Sequence, residues 1–257
     1  MDERLEKAER TKHRTYDVVY DYYKKSQNIN NTLKVARKMV ESPNSTPVIR
    51  GELCECVLTI MMEDFIKKNG LDKKGWFFEK GLILKDLDNP KGEYLTELDF
   101  TLFTPKQIYL FECKSYKGDK KFTDECVISV KTNKDTWRKK FDVYSQHIKH
   151  YKALFKYLKN FLININSKMK PFKIVCFVFA DGKIIDERED KFKRLFPVLT
   201  EKTLYDLFND YNSRPVYWDI KYVKRAVKII NESKDSLHNE HLDYVTNLDH
   251  SNSDSRV

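Results

Sequence analysis

At 257 residues the chain is long enough for one large domain, or one with appendages. No run of 18 apolar residues occurs, so no transmembrane helix is expected, and the charged opening MDERLEKAERTKHR has no apolar stretch of the kind a signal peptide needs. Net charge is +9 but unevenly placed: residues 114–173 hold 16 basic against 5 acidic side chains, a surplus of 11, and residues 231–257 hold 2 against 6.

Residues 1–41 read as two helices. Tyr16, Val19, Tyr20 and Tyr23 recur at three- and four-residue spacing, and Leu33, Val35 and Met39 follow a polar break at Ser26–Asn31. The tyrosine stripe fits packing better than base stacking. SPNSTPVIR (42–50) supplies capping chemistry for a helix from about Val48 to Lys68, with an apolar face of Cys54, Val57, Leu58, Met61, Met62 and Phe65 and a stop at Asn69-Gly70. WFFEKGLIL (76–84) reads as a strand, and 86–93 as a polar loop. FTDECVISVK (122–131) reads as one strand, 132–140 as a polar loop holding Trp137, and 141–165 as a helix carrying Tyr144, Ile148, Tyr151, Leu154, Phe155 and Leu158. The apolar run KIVCFVFA (173–180) suits a strand buried on both faces, hence inside the sheet. A helix and loop mix follows over 186–210. Then come a short strand at Val216–Trp218, a helix over 219–230 and an acidic tail. The order implies an α/β protein with a mixed central sheet flanked by helices. It divides into an N-terminal helical segment (1–45), a core (46–210) and a C-terminal helix with a tail (211–257).

The chemistry concentrates in YLTELDFTLFTPKQIYLFECKSYKG (94–118). LDFTLF and IYLFEC are strands rich in β-formers around a Thr104–Gln107 turn. A symmetric register pairs residues whose numbers sum to 211, which sets Asp99 opposite Glu112; Lys114 points to the same face as Glu112. Facing like charges destabilise a hairpin unless something holds them. A divalent cation is the simplest remedy, and Lys114 beside it could position or deprotonate a water, as phosphodiester hydrolysis requires. Five other acid-x-Lys matches (Asp72–Lys74, Asp119–Lys121, Glu189–Lys191, Asp219–Lys221, Glu232–Lys234) show the pattern is weak by itself. Only Glu112–Lys114 ends an apolar strand, where a charge pair needs a reason. The basic surplus downstream suits a polyanion, though on charge alone a lysine-rich soluble surface is the better account.

TELDFTLFTPKQIYLFECK resembles the core of the PD-(D/E)XK nuclease superfamily and is most similar to its nuclease-related (NERD-type) domains, over about residues 46–185. Leu98 stands where the strict pattern has proline. The resemblance implies a restriction-endonuclease-like core and a metal-dependent nuclease on nucleic acid, DNA favoured over RNA, in DNA processing or defence. It assigns Asp99, Glu112 and the Cys113 carbonyl to Mg²⁺ (or Mn²⁺), a choice that hard oxygen ligands favour. Lys114 would orient the water or stabilise charge, and Gln146 would hold the water or a phosphate oxygen. Glu55, four residues after Gly51 on the edge of its helix's apolar face, is preferred to Glu52 as the upstream carboxylate. Glu52 reads as a first-turn acid suited to the helix dipole. Glu97 shares a strand face with Asp99 and is either a supporting group or a charge at the sheet rim. Lys149 and His150 could touch substrate, although His147 and His150 read first as ordinary helix-surface histidines, and Lys152, Lys156 and Lys159 as a solvated face. Asp181-Gly182-Lys183 is a turn. The alternative is a silent or partner-dependent nucleic-acid-binding module on the same fold; a homodimer or protein partner is left open. The odd count of cysteines (Cys54, Cys56, Cys113, Cys126, Cys176) suits a cytoplasmic protein with small buried thiols, and Cys54-Glu55-Cys56 lacks zinc-knuckle spacing.

Overall fold

The computed structural model describes residues 3–85, 95–123, 127–131, 136–158 and 172–232. Among them no helix is long and apolar enough to cross a membrane. The expected N-terminal pair is α1 (Glu3–Ser26) and α2 (Ile29–Glu41). Between them Gln27 takes a left-handed φ of 50°, and Asn28 caps α2 by accepting from the Asn31 N–H at 3.1 Å. The tyrosines do pack: Val19 and Tyr23 are buried, and the hydroxyls of Tyr20 and Tyr23 donate to Glu63 and Asp64 at 2.7 and 3.2 Å.

Both acceptors lie on α3 (Pro47–Lys68), whose first turn is fixed by Thr46 accepting from the Ile49 N–H and by Pro47 at the first helical position. This helix is buried nearly all round, because α1 and α2 cover one side and a sheet the other. Glu52 corrects the first-turn expectation: it sits a turn further on and is 3% exposed.

Nine strands are described: β1 (Phe77–Lys85), β2 (Leu95–Phe103), β3 (Ile108–Lys114), β4 (Lys120–Phe122), β5 (Val127–Lys131), β6 (Trp137–Asp142), β7 (Phe172–Val178), β8 (Ile184–Asp186) and β9 (Val198–Leu199). The remaining helices are α4 (Val143–Leu158), α5 (Asp190–Leu195) and α6 (Ile220–Glu232). The main sheet runs β1-β2-β3-β7-β9, antiparallel through β3 and parallel beyond it, so the apolar β7 is interior as its composition demands. Tyr109, Phe111, Val175 and Phe177 face α3; Ile108, Leu110, Ile174 and Cys176 face α4 and α6. The fold is thus a mixed α/β sheet flanked by helices.

Three expectations are corrected. The stretch 122–131 is not one strand: β4 and β5 are separate, and with β6 and β8 they make a second sheet, β6-β5-β4-β8. The polar loop expected around Trp137 is instead β6, an edge strand whose charged WRKKFD composition hides its pairing with β5. Val216–Trp218 forms no strand; the Trp218 indole donates to the Thr104 carbonyl at 2.9 Å, and the Tyr217 N–H to that of Pro105, under the hairpin turn. Cys126, Lys159 and the acidic tail lie outside the described residues.

Candidate active site

The hairpin register is the one that sums to 211, from Phe103↔Ile108 to Phe100↔Phe111. The turn closes through the Thr104 N–H on the Gln107 carbonyl at 3.1 Å, with the Thr104 hydroxyl on the same oxygen. Pairing stops at the next step, where Asp99 and Glu112 would meet. There the Asp99 carboxylate reaches across and accepts the Cys113 N–H at 2.7 Å, taking a donor the sheet leaves unpaired. The alternation also slips at this point. Phe100 and Leu102 face α3, but Leu98 faces α4 together with Leu82 and Leu84 of the neighbouring strand. Opposite Asp99 in β1 stands Gly81, at φ 56°, and both drop out of the β1–β2 ladder.

Glu112 is 1% exposed. Its Oε1 takes the Lys114 ammonium at 2.5 Å, and its Oε2 lies 3.4 Å from His150 Nδ1. Burial pushes Asp99 well up, and the neighbouring Glu112 and Glu55 push it further. Burial would also raise Glu112, but Lys114 and the two histidines hold it below the ordinary glutamate range. Of the two acids, Asp99 therefore keeps its proton to higher pH. Lys114 is opposed by burial and still raised, because both carboxylates favour its charged form.

Glu55, half-buried on α3, is near enough to add to the charge felt by Asp99. Glu97 acts in the same way on His150. Gln146 is half-buried, and its side-chain oxygen is buried with no hydrogen-bond partner. Lys149 and Lys152 are exposed. His147 and His150 are not surface histidines: they are 0% and 4% exposed and face the sheet, in register with Val143 and Leu154 on the buried stripe of α4. His147 Nε2 lies 3.1 Å from the Val175 carbonyl. Burial lowers both imidazoles, His147 to about 4. Together Glu112, His147 and His150 form a buried cluster with metal-ligand atoms within 4.8 Å of one another.

The loops beside the site are clamped. Arg50 of α3 donates to the carbonyls of Ser115 (3.2 Å) and Ser45. The Gly118 N–H donates to Asp181 Oδ1 at 3.0 Å, and the buried Lys120 ammonium bridges the carbonyls of Gly118 and Asp181.

Residues 60–179 match the family model of the nuclease-related domain (NERD). That stretch of the chain is similar to a nuclease-related domain. No curated protein and no solved structure matches the chain. The matched stretch begins within α3, beyond Glu55, and takes in Asp99, Glu112, Lys114 and Gln146 as well as both histidines. Within it, sequence reasoning misplaced His147 and underrated His150. The available signal was spacing: Val143, His147, His150 and Leu154 recur at four, three and four residues, a continuous buried stripe.

Proposed function

We infer that this protein is a divalent-metal-dependent nuclease that hydrolyses DNA phosphodiester bonds, acting as an endonuclease in DNA processing or defence in the cytoplasm. The observation that carries the reading is the meeting of Asp99 and Glu112 where β2 and β3 part, within a stretch similar to a nuclease-related domain. Two buried acids, the first raised by its burial and by the charge of the second, suit a cation that would offset both charges. Asp99, Glu112 and the Cys113 carbonyl would hold Mg²⁺ or Mn²⁺, which when bound supplies Lewis-acid polarisation of the phosphate and a more acidic water.

The chain's own groups divide the remaining work. Lys114 is protonated, so it donates to a phosphate oxygen and stabilises developing charge; it does not serve as the base. Gln146 offers its amide to the attacking water or a phosphate oxygen, and Glu55 adds negative potential on the α3 side. Exposed Lys149 and Lys152 lie on the same helix, where they can follow the strand backbone.

The test is cleavage of supercoiled, linear and single-stranded DNA, and of RNA, in Mg²⁺, Mn²⁺ or EDTA. We expect metal-dependent DNA cleavage that Asp99→Asn abolishes and Lys114→Ala cuts by about 10²-fold or more. Cleavage that persists in Asp99→Asn or in EDTA refutes the mechanism. Nucleic-acid binding without cleavage under every condition supports the silent module instead.

A further inference from the structure

Glu112 divides its two oxygens. Oε1 is taken by Lys114, whereas Oε2 is fully buried and accepts no hydrogen bond. His147 narrows what the space beside Oε2 can hold. Its Nε2 meets the Val175 carbonyl, and a carbonyl can only accept, so Nε2 carries the ring proton. Nδ1 of His147 is then a bare lone pair, fully buried, with no hydrogen-bond partner. A buried acceptor left without a donor is destabilising, so such atoms mark a missing partner. Here two such atoms, from different elements, converge with His150 on one point. A backbone carbonyl on the far ring nitrogen is the usual means of orienting a metal-binding histidine.

We propose that Glu112, His147 and His150 form a second cation site, selective for a borderline divalent transition metal such as Zn²⁺ or Co²⁺ over Mg²⁺. Two imidazoles and one carboxylate are a donor set suited to such ions, with a position left open, whereas Mg²⁺ favours oxygen ligands throughout. Oε2 faces the histidines and Oε1 faces Lys114, so one carboxylate serves both sides of the strand end. The site shares Glu112 with the proposed nuclease centre but does not depend on DNA cleavage.

The probe is the metal alone, without nucleic acid. Metal-free protein titrated with Co²⁺ should develop visible absorption at one equivalent, displaced by Zn²⁺ and not by millimolar Mg²⁺. X-ray absorption of the Zn²⁺-loaded wild type should show two imidazoles, a readout that needs no variant. His147→Gln and His150→Gln, each checked for folding by circular dichroism, should weaken Co²⁺ binding by more than ~100-fold. Asp99→Asn should leave it within a few-fold. An oxygen-only shell, equal competition by Mg²⁺, or full Co²⁺ affinity in both histidine variants would overturn the proposal. Co²⁺ binding beside a failed cleavage assay would sink the nuclease reading alone, and the reverse result would sink this one alone.

Discussion

Acid should unfold this protein in a way that traces to His147. In the fold its imidazole titrates at about 4, because it is wholly buried, against 6.5 for an ordinary histidine. The unfolded chain therefore takes up this proton first as pH falls. Stability from this group is complete above pH 6.5, declines between 6.5 and 4, and is flat below. The full effect is about 3 kcal/mol, from 1.36 kcal/mol per unit, and about 2 kcal/mol of it is gone at pH 5. The assay is urea unfolding in EDTA at pH 7.5 and 5.0, for the wild type and for His147→Gln. Glutamine keeps an N–H for the Val175 carbonyl but cannot ionise. The wild type should lose about 2 kcal/mol more than the variant between the two conditions. Equal losses, or an imidazole pKa near 6 by nuclear magnetic resonance, would refute the reasoning.

Asp99 should behave in the opposite sense. Its folded pKa is raised, so its contribution is intact at low pH and lost as pH rises. Asp99→Asn in EDTA at pH 8 should thus raise the melting temperature by about 2–4 °C, roughly 1 kcal/mol, while abolishing cleavage; a lower melting temperature would contradict this. Lys114→Met leaves Glu112 buried without its cation, and urea unfolding should register a loss of about 3 kcal/mol, most of it recovered by adding Glu112→Gln. An additive double variant would show that the pair is not coupled. Gly182 has φ 75°, and a Cβ there would stand 2.5 Å from the Gly118 carbonyl oxygen. Gly182→Ala should cost about 2 kcal/mol by the same measurement, and a neutral result would mean that this loop contact yields easily.

The elements a reader can find in this sequence are those whose periodicity reports their own burial. α3, the hairpin register and β7 are of that kind: capping at Thr46, a symmetric turn and an uninterrupted apolar run each leave a local mark. What stayed hidden depends on neighbours. β6 is charged because it is an edge, so it reads as a loop. Glu52 looks like a surface acid but is buried in the fold, and no local rule predicts that. His147 and His150 were legible as positions but not as chemistry. Polar residues on an apolar stripe suggest an exposed edge, and only the arrival of Glu112 and the Val175 carbonyl from the sheet makes them a cluster.

The slip shared by Gly81 and Asp99 behaves like a dislocation in a crystal, with two rows displaced together. Removing the glycine alone would swing Leu82 and Leu84 into the wrong layer, against strands that still expect them on the α4 side. Removing a residue from β2 as well would heal the lattice, but the ladder would then supply the Cys113 N–H from the main chain and leave no reason for a carboxylate between the strands. Flawless pleating and an acid at this spot exclude each other. A change in the length of β1 therefore calls for a matching change in β2, and a designer who regularises this sheet would erase the place that Asp99 occupies.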